Sequence, residues 1–204
     1  MVERELRLAQ EDVVERLSIA AEFRDDETAR HVQRMSRYTA LLARRSGGSP
    51  DRAEQVRTAS VMHDVGKIGI PDSILLKPGK LTPEERRIME QHSEIGYRIL
   101  SGSRSELLTL AAKIAWTHHE RVDGNGYPRR IAGEDIPIEG RMAAIADVFD
   151  ALTSNKVYKK ASPVQQAVDI MREGRGTHFD ADLLYLFLDS MDEVVRIKER
   201  YADR

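Results

Sequence analysis

Helix-starting signals recur along the chain and restrict it to a mainly helical fold. A capping box with proline at the first helical position is predicted at residues 82–85 (TPEE), and the same form recurs at residues 162–165 (SPVQ). The sequence contains no run of alternating β-branched residues bounded by turn residues, which is the usual signal of a strand. These signals predict an all-α chain that folds as a single domain.

Apolar residues recur at helical spacing through most of the chain. They predict helices over residues 3–23, 27–45, 51–65, 83–100, 105–118, 138–153, 163–173 and 181–200. Two long stretches, 66–80 and 119–137, lack this spacing. Because long loops inside a compact domain are usually functional or disordered, and neither stretch has a disordered composition, we expect both to border a functional site.

Composition excludes several classes of protein. The chain has 204 residues, enough for one domain with a hydrophobic core. Cysteine is absent, which excludes disulfides and thiolate metal sites, and we expect the protein to work in the cytoplasm. The charged first residues do not resemble a signal peptide, and the apolar runs are too short to span a membrane. A net charge of -2 without a Lys/Arg-rich tract disfavours a nucleic-acid polymer as partner.

The histidines are the strongest indication of chemistry. His63-Asp64 and His118-His119 are adjacent pairs near predicted helix ends, where two neighbours can serve one centre or two metals side by side. A lone helical histidine is more often a packed or surface residue than a ligand, and we assign His178 to that class. The pairs, by contrast, favour a metal site, since imidazole and carboxylate without sulfur suit Fe(II), Mn(II), Ni(II) or Zn(II).

Further candidate ligands lie on other predicted helices. Glu27 and His31 are four residues apart and therefore share a helix face. His92 lies within a helix, and Asp147 is surrounded by small and apolar residues, where burial of its charge requires a counter-charge or a metal. Together these residues predict a multinuclear metal site.

The chain resembles the HD-GYP family in three segments: HDVGKIGIPDSILLKPGKLTPEE from residue 63, HHERVDGNGYP from residue 118, and IADVFDALTS from residue 145. This family is the branch of the HD metal-dependent phosphohydrolases that hydrolyses the bacterial second messenger cyclic di-GMP. The resemblance extends from about residue 19 to about residue 185. It implies an HD-type helical domain over residues 19–204, with residues 1–18 as an N-terminal signalling or dimerisation helix.

The resemblance also implies a set of metal ligands. They are Glu27, His31, His63, Asp64, His92, His118, His119 and Asp147. Relatives with glutamate at the position of Glu27 are associated with three metals, so two or three divalent ions, iron or manganese, are expected. Asp64 would bridge two ions and orient a bridging hydroxide, and Lys67 would stabilise developing charge or protonate the leaving oxygen.

The expected substrate contacts are Tyr127, Lys156 and Lys159. Tyr127 belongs to the loop that gives the family its name, and packing as a loop anchor is an alternative role for it. Relatives usually carry Arg-Pro-Tyr and a basic residue where this chain has KVYK at 156–159. Because lysine lacks the planar fork of arginine, the change at Lys156 is expected to affect affinity and guanine preference rather than catalysis.

The expected function is hydrolysis of cyclic di-GMP to a linear dinucleotide or GMP. Two alternatives stay open: another HD-type nucleotide phosphohydrolase, and a non-catalytic module that binds diguanylate cyclase domains. The charged first helix suggests an upstream receiver or sensor domain. Within that helix Leu6, Val13 and Ala20 recur every seven residues with Leu17 beside them, which fits either pairing in a homodimer or packing on the same domain.

Overall fold

The computed structural model describes residues 29–155 and 160–202, together with residues 5, 12–16 and 18, which are helical. The helices after residue 28 are α1 (Ala29–Arg45), α2 (Pro50–Ser60), α3 (Asp72–Leu75), α4 (Pro83–Glu90), α5 (His92–Leu100), α6 (Glu106–Thr117), α7 (Ile138–Thr153), α8 (Val164–Glu173), α9 (Ala181–Asp189) and α10 (Met191–Arg200). Short 3₁₀ segments span Val65–Gly69 and Gly133–Asp135. Across this part of the chain there is no β-strand, which confirms the all-α prediction.

The capping box predicted at residues 82–85 is present. Thr82 Oγ1 accepts the Glu85 N–H at 3.3 Å, and Glu85 Oε2 accepts the Thr82 N–H at 2.8 Å. The second predicted box is wrong, because α8 begins one residue later and Pro163 occupies the N-cap position. Ser162 therefore lies one residue outside the cap and makes no capping hydrogen bond.

Two helices predicted as continuous are each interrupted in the structure. Between α4 and α5, the carbonyl of Met89 accepts a hydrogen bond from His92 Nδ1 at 2.7 Å. Between α9 and α10, Ser190 Oγ donates to the carbonyl of Leu186 at 2.8 Å. At both positions the main-chain N–H bonds to a carbonyl three residues earlier, from Gln91 to Ile88 and from Ser190 to Phe187, so the α-helical ladder is interrupted.

Helix α2 ends earlier than predicted, at Ser60 rather than residue 65. The Ser60 hydroxyl donates to the carbonyl of Arg57, and the following residues form a tight turn before the 3₁₀ segment. His63 and Asp64 lie in this turn. Ending the helix here places both side chains at one end of the helix bundle.

The core lies among α1, α2, α6 and α7. Helix α1 packs on α2 and α7, α2 packs on α6, and α6 packs on α7. Tyr38, Phe149 and Phe187 are fully buried and contact one another edge to face, with ring centroids 5.2–6.0 Å apart. Each such pair adds about 0.5–1.5 kcal/mol to the stabilisation from burial.

The N-terminal helix contacts the domain through a face next to the predicted seam. Val14 is buried in the core, whereas Val13 is 54% exposed. Leu6, Leu17 and Ala20 lie outside the described residues, so the seam and the division at residue 18 stay predictions. No helix in the described ranges is long and apolar enough to cross a membrane.

Candidate metal centre

Seven of the eight predicted metal ligands converge at one end of the bundle, and the eighth, Glu27, lies outside the described residues. They form two groups, and within each group the candidate ligand atoms all lie within 4.8 Å of one another. The Asp64 subsite consists of Asp64, His92, His118 and His119, and the His31 subsite consists of His31, His63 and Asp147.

Helix ends supply most of these ligands. His31 is in the first turn of α1, His92 opens α5, and His118 and His119 directly follow α6. Asp147 is the exception, because it projects from the interior of α7. Residues at helix ends can share a centre with a chain neighbour, which side chains inside a helix cannot do.

The carboxylate of Asp64 lies between the two subsites. Its Oδ1 is 3.2 Å from His92 Nε2 and 3.3 Å from His118 Nε2. Its Oδ2 is 3.4 Å from Nε2 of His63, a member of the His31 subsite. One oxygen directed at each group is the arrangement that a bridging carboxylate requires.

Three imidazoles are oriented by main-chain carbonyls. The Nδ1 atom lies 3.0 Å from the Ser60 carbonyl in His63, 2.7 Å from the Met89 carbonyl in His92, and 3.1 Å from the Ala115 carbonyl in His118. Because a carbonyl only accepts, each Nδ1 carries the proton and each Nε2 keeps its lone pair. These Nε2 atoms therefore suit metal coordination.

The charge state of the site also fits a metal. Burial lowers the pKa of His118 and His119, which favours the neutral form that a metal binds, whereas the adjacent Asp64 carboxylate raises the pKa of His63 against the effect of burial. Burial alone would raise the pKa of Asp64, but the nearby Lys67 and His63 hold it well below its usual value. His63 Nε2 and Asp64 Oδ1 are buried without a hydrogen-bond partner among the described residues. A cation in each subsite would satisfy these two atoms.

Lys67 is part of the site rather than a solvated lysine. Its Nζ lies 2.7 Å from Asp64 Oδ2, and its side chain is only 12% exposed. The 3₁₀ segment fixes this geometry, because the Lys67 N–H donates to the Asp64 carbonyl at 2.9 Å. A positive charge therefore adjoins the carboxylate shared by the two subsites.

The glycine-rich loop covers the Asp64 subsite. A Cβ atom at Gly126 would lie 2.4 Å from Arg121 N and 2.5 Å from the His119 carbonyl oxygen, so only glycine fits. The Tyr127 N–H donates to the same carbonyl at 3.2 Å. The Tyr127 ring packs 4.6 Å from the His119 ring and 6.2 Å from the His92 ring, between centroids. Tyr127 thus anchors the loop and also forms a wall of the site.

The start of the glycine-rich loop, at Val122 and Asp123, is hydrogen-bonded to the main chain at Thr177 and His178. The Asp123 N–H donates to the Thr177 carbonyl at 2.9 Å, and the Val122 N–H donates to the His178 carbonyl at 3.4 Å. The His178 ring stacks on Phe179 at 4.2 Å and belongs to neither subsite. Of the predicted substrate contacts, Lys156 and Lys159 lie outside the described residues.

Sequence reasoning missed three buried polar residues around the site, which are Arg34, Glu120 and Asp150. Asp150 bonds to His31 and Arg34, and these hydrogen bonds lower its pKa although burial alone would raise it. Glu120 accepts a hydrogen bond from the Arg129 N–H at 2.7 Å and so joins the two ends of the glycine-rich loop. Asp150 was detectable, since it lies three residues after Asp147 in an apolar helix and therefore near the same buried face.

Comparison with known proteins agrees with this geometry. The family model described as HD domain matches residues 16–183. The chain is 44% identical over 98% of its length to 3′3′-cGAMP-specific phosphodiesterase 2 of Vibrio cholerae serotype O1, of which it covers 38%. It is also 44% identical over 94% of its length to a cyclic di-GMP phosphodiesterase of Thermotoga maritima, of which it covers 52%. The chain thus spans about half of these relatives' length or less.

Solved structures share the fold at low identity. A cyclic GMP-AMP specific phosphodiesterase of V. cholerae (V-cGAP3) has a TM-score of 0.68 at 16% identity, covering 95% of this chain and 51% of that chain. The HD domain of L. monocytogenes phosphodiesterase PgpH has a TM-score of 0.60 at 17% identity, covering 92% of this chain and 98% of that one. HD domains are metal-dependent, and the described histidines and aspartates form a matching ligand cluster. The resemblance seen in the sequence is confirmed: the chain belongs to the HD-domain family, in its HD-GYP branch.

Proposed function

We propose that this chain is the catalytic domain of a phosphodiesterase that hydrolyses cyclic di-GMP to a linear dinucleotide, GMP or both. The observation that carries the proposal is Asp64, whose two carboxylate oxygens face two adjoining ligand groups while the Lys67 ammonium contacts one of them. The names of relatives about 44% identical to this chain, two of which are cyclic di-GMP phosphodiesterases, support the same substrate class.

The proposed cofactors are two or three divalent ions, iron or manganese. The seven described ligands would hold two of them, and Glu27 would help to hold a third. When bound, such ions supply Lewis-acid chemistry that neutralises a phosphodiester and makes a nucleophile available from water near neutral pH. The oxygen and nitrogen donors, without sulfur, suit these metals.

The residues of the chain have separate roles in this proposal. Asp64 would bridge the two subsites and orient the hydroxide between them. The ammonium nitrogen of Lys67 lies 2.7 Å from Asp64 Oδ2, where the group can stabilise the transition state or protonate the leaving 3′ oxygen. Tyr127 shields the Asp64 subsite from solvent, and burial raises the pKa of its phenol, so the hydroxyl stays a donor.

Hydrolysis of 3′3′-cGAMP is the second candidate function. A relative that is 44% identical over nearly the whole chain is named as specific for that dinucleotide. Lys156, which replaces the usual arginine, is expected to change guanine preference. Both candidates use the same site and differ only in the contacts made to the second base.

The remaining proposals concern the setting of the domain. We place it in the cytoplasm, controlled by an upstream receiver or sensor domain, with diguanylate cyclase domains as protein partners and a homodimer formed through the N-terminal helix. A module that only binds those partners has no use for a buried carboxylate oxygen without a hydrogen-bond partner among the described residues, because leaving part of a charged group unsatisfied away from water is costly. That cost favours the enzyme over the binding module.

The test is turnover of purified protein loaded with Mn²⁺ or Fe²⁺ under anaerobic conditions. Cyclic di-GMP, 3′3′-cGAMP, and a panel of mononucleotides would be compared by chromatography of the products. We expect hydrolysis of one or both cyclic dinucleotides to linear products and negligible turnover of the mononucleotides. Preferred turnover of mononucleotides would support the other class of HD phosphohydrolase, and no turnover of any compound by metal-loaded protein would overturn the proposal.

A further inference from the structure

His31 is oriented differently from the other described imidazoles of the site. His63, His92 and His118 direct Nδ1 at main-chain carbonyls. His31 instead directs Nδ1 at the carboxylate of Asp150, with Oδ2 at 2.9 Å. A carboxylate acceptor binds the N–H more strongly than a carbonyl and increases electron density at the opposite ring nitrogen.

Arg34 fixes the carboxylate that His31 depends on. Arg34 Nε lies 2.7 Å from Asp150 Oδ1, and Nη2 lies 2.9 Å from Asp150 Oδ2, so the pair is bidentate. Both side chains are at most 2% exposed. Removal of two charges from water is costly, and a buried ion pair is weak evidence for a purely stabilising role.

Further hydrogen bonds immobilise Arg34. Its Nη2 donates to Ser154 Oγ at 2.9 Å, and its Nη1 donates to the Tyr201 carbonyl at 2.9 Å. These contacts tie the guanidinium to the end of α7 and to the residue after α10. The position of Asp150 is therefore set by three helices rather than by its own rotamer.

We propose that Asp150 is a positioning residue for the His31 subsite. It keeps the proton of His31 on Nδ1 and directs Nε2 toward Asp147, whose Oδ1 lies 3.6 Å away. Because the two nitrogens lie on opposite sides of the ring, fixing Nδ1 also fixes the direction of the metal-binding lone pair. The inference rests on the proposed metal-dependent function and assigns a role within it to two residues outside the ligand set.

The test is titration of metal-free protein with Mn²⁺ by calorimetry, which reads binding without turnover. In Asp150→Asn we expect the binding class that includes His31 to weaken about 10–100-fold, the usual cost of losing an outer partner of a metal ligand. The class formed by the Asp64 subsite should stay unchanged. Equal weakening of both classes, or no weakening, would overturn the proposal.

A double-mutant cycle separates positioning from general damage. If Asp150 acts through His31, Asp150→Asn should add no further loss of Mn²⁺ affinity once His31→Ala is present. Additive losses would show that Asp150 acts independently of His31. Asp180→Asn is the matched control, since it removes the negative charge from another partly buried ion pair, Arg141–Asp180, whose residues belong to neither subsite. A loss of the same Mn²⁺ class in that control would also overturn the proposal.

Asp150→Asn leaves Arg34 buried beside a neutral group and can prevent folding, so a measurement on the unaltered protein is included. Long-range ¹⁵N–¹H correlation spectra of metal-free, ¹⁵N-histidine-labelled protein report the tautomer of each ring, with His31→Ala giving the assignment. The proposal requires the Nδ1–H tautomer at His31, and an Nε2–H tautomer would overturn it. Turnover is measured separately, so loss of the proposed function leaves these metal and tautomer results interpretable.

Discussion

The two subsites differ in how one of their histidines is oriented, although His63 of the His31 subsite is held by a nearby carbonyl in the same way as His92 and His118. In the Asp64 subsite, His92 and His118 are oriented by carbonyls three or four residues earlier in the chain. In the His31 subsite, His31 is oriented by Asp150, which lies 119 residues away. The first arrangement forms whenever the helix end forms, whereas the second requires α1 and α7 to pack against each other.

This difference has a physical consequence for how each subsite tolerates change. A locally oriented histidine keeps its direction as long as its own helix keeps its end. A histidine oriented by a distant carboxylate loses its direction when the packing between two helices changes. The His31 subsite is therefore the one through which changes in the helices around α1 can alter metal binding.

Asp64→Ala should have the largest effect, because Asp64 belongs to one subsite and contacts the other. We expect activity to fall at least about 10³-fold, as for loss of a central catalytic group. Bound Mn²⁺, measured by elemental analysis after gel filtration, should fall in both subsites. Asp169→Ala, on the exposed face of α8, is the matched control and should change neither quantity. Full Mn²⁺ binding by the His31 subsite in Asp64→Ala would show that the two subsites are independent.

Lys67→Met comes next, because Lys67 contacts the shared carboxylate without being a metal ligand. The rate constant for turnover should fall about 10²-fold, as for loss of a general acid or a transition-state cation. Metal content should be unchanged, since the variant removes a positive charge rather than a ligand. The exposed Lys113→Met on α6 provides the control. Loss of metal together with activity would make Lys67 a structural partner of Asp64 instead of a catalytic group.

The same contrast between local and distant contacts explains what the sequence could predict. The fold class and the Asp64 subsite follow from local signals, because the adjacent pairs and the glycine-rich loop lie at predicted helix ends. The role of Asp150 could not be predicted, since its spacing from Asp147 indicates burial but does not identify Arg34 as its partner. That partner depends on the packing of α1 against α7, which local patterns do not encode.

Helix boundaries failed for a related reason. The breaks at Gln91 and Ser190 coincide with side-chain hydrogen bonds to nearby carbonyls, and apolar spacing continues across both positions. Periodicity therefore predicts one helix where the chain forms two. The early end of α2 has the same origin, because the hydroxyl of Ser60 and the ring of His63 both bond to nearby carbonyls.

Gly126→Ala should have a smaller effect that is confined to the Asp64 subsite. The added Cβ would meet main-chain atoms of Arg121 and His119 at 2.4–2.5 Å, so the loop must move and Tyr127 must shift from His119. Overpacking of this kind costs about 1–3 kcal/mol, and if this cost falls on the active conformation of the loop, activity decreases about 5- to 150-fold. Binding of Mn²⁺ by the His31 subsite should not change.

Gly133→Ala is the matched control for this prediction. Gly133 also lies near the loop and has a positive φ of 53°, but a Cβ there meets no atom within 4 Å. It should therefore cost only the backbone strain of about 1 kcal/mol, visible in thermal unfolding, and leave activity unchanged. Equal losses of activity in both variants would attribute the effect to backbone strain and not to the close approach at Gly126.

His178→Ala should have the smallest effect on activity, within about twofold, because the ring belongs to neither subsite. Its effect should appear instead in the pH dependence of stability. Burial, together with the charge of Arg121, lowers the pKa of His178 to about 4. Below about pH 6.5 the unfolded chain binds a proton at His178, whereas the folded chain does not bind it until the pH approaches about 4. His178 therefore lowers the free energy of unfolding of the wild type as pH falls from about 6.5 to about 4. Thermal unfolding of metal-free protein at pH 7 and pH 5 should show a smaller decrease in the variant than in the wild type. An equal decrease would mean that the ring is solvated in the folded chain, and a large loss of activity would place His178 in the site.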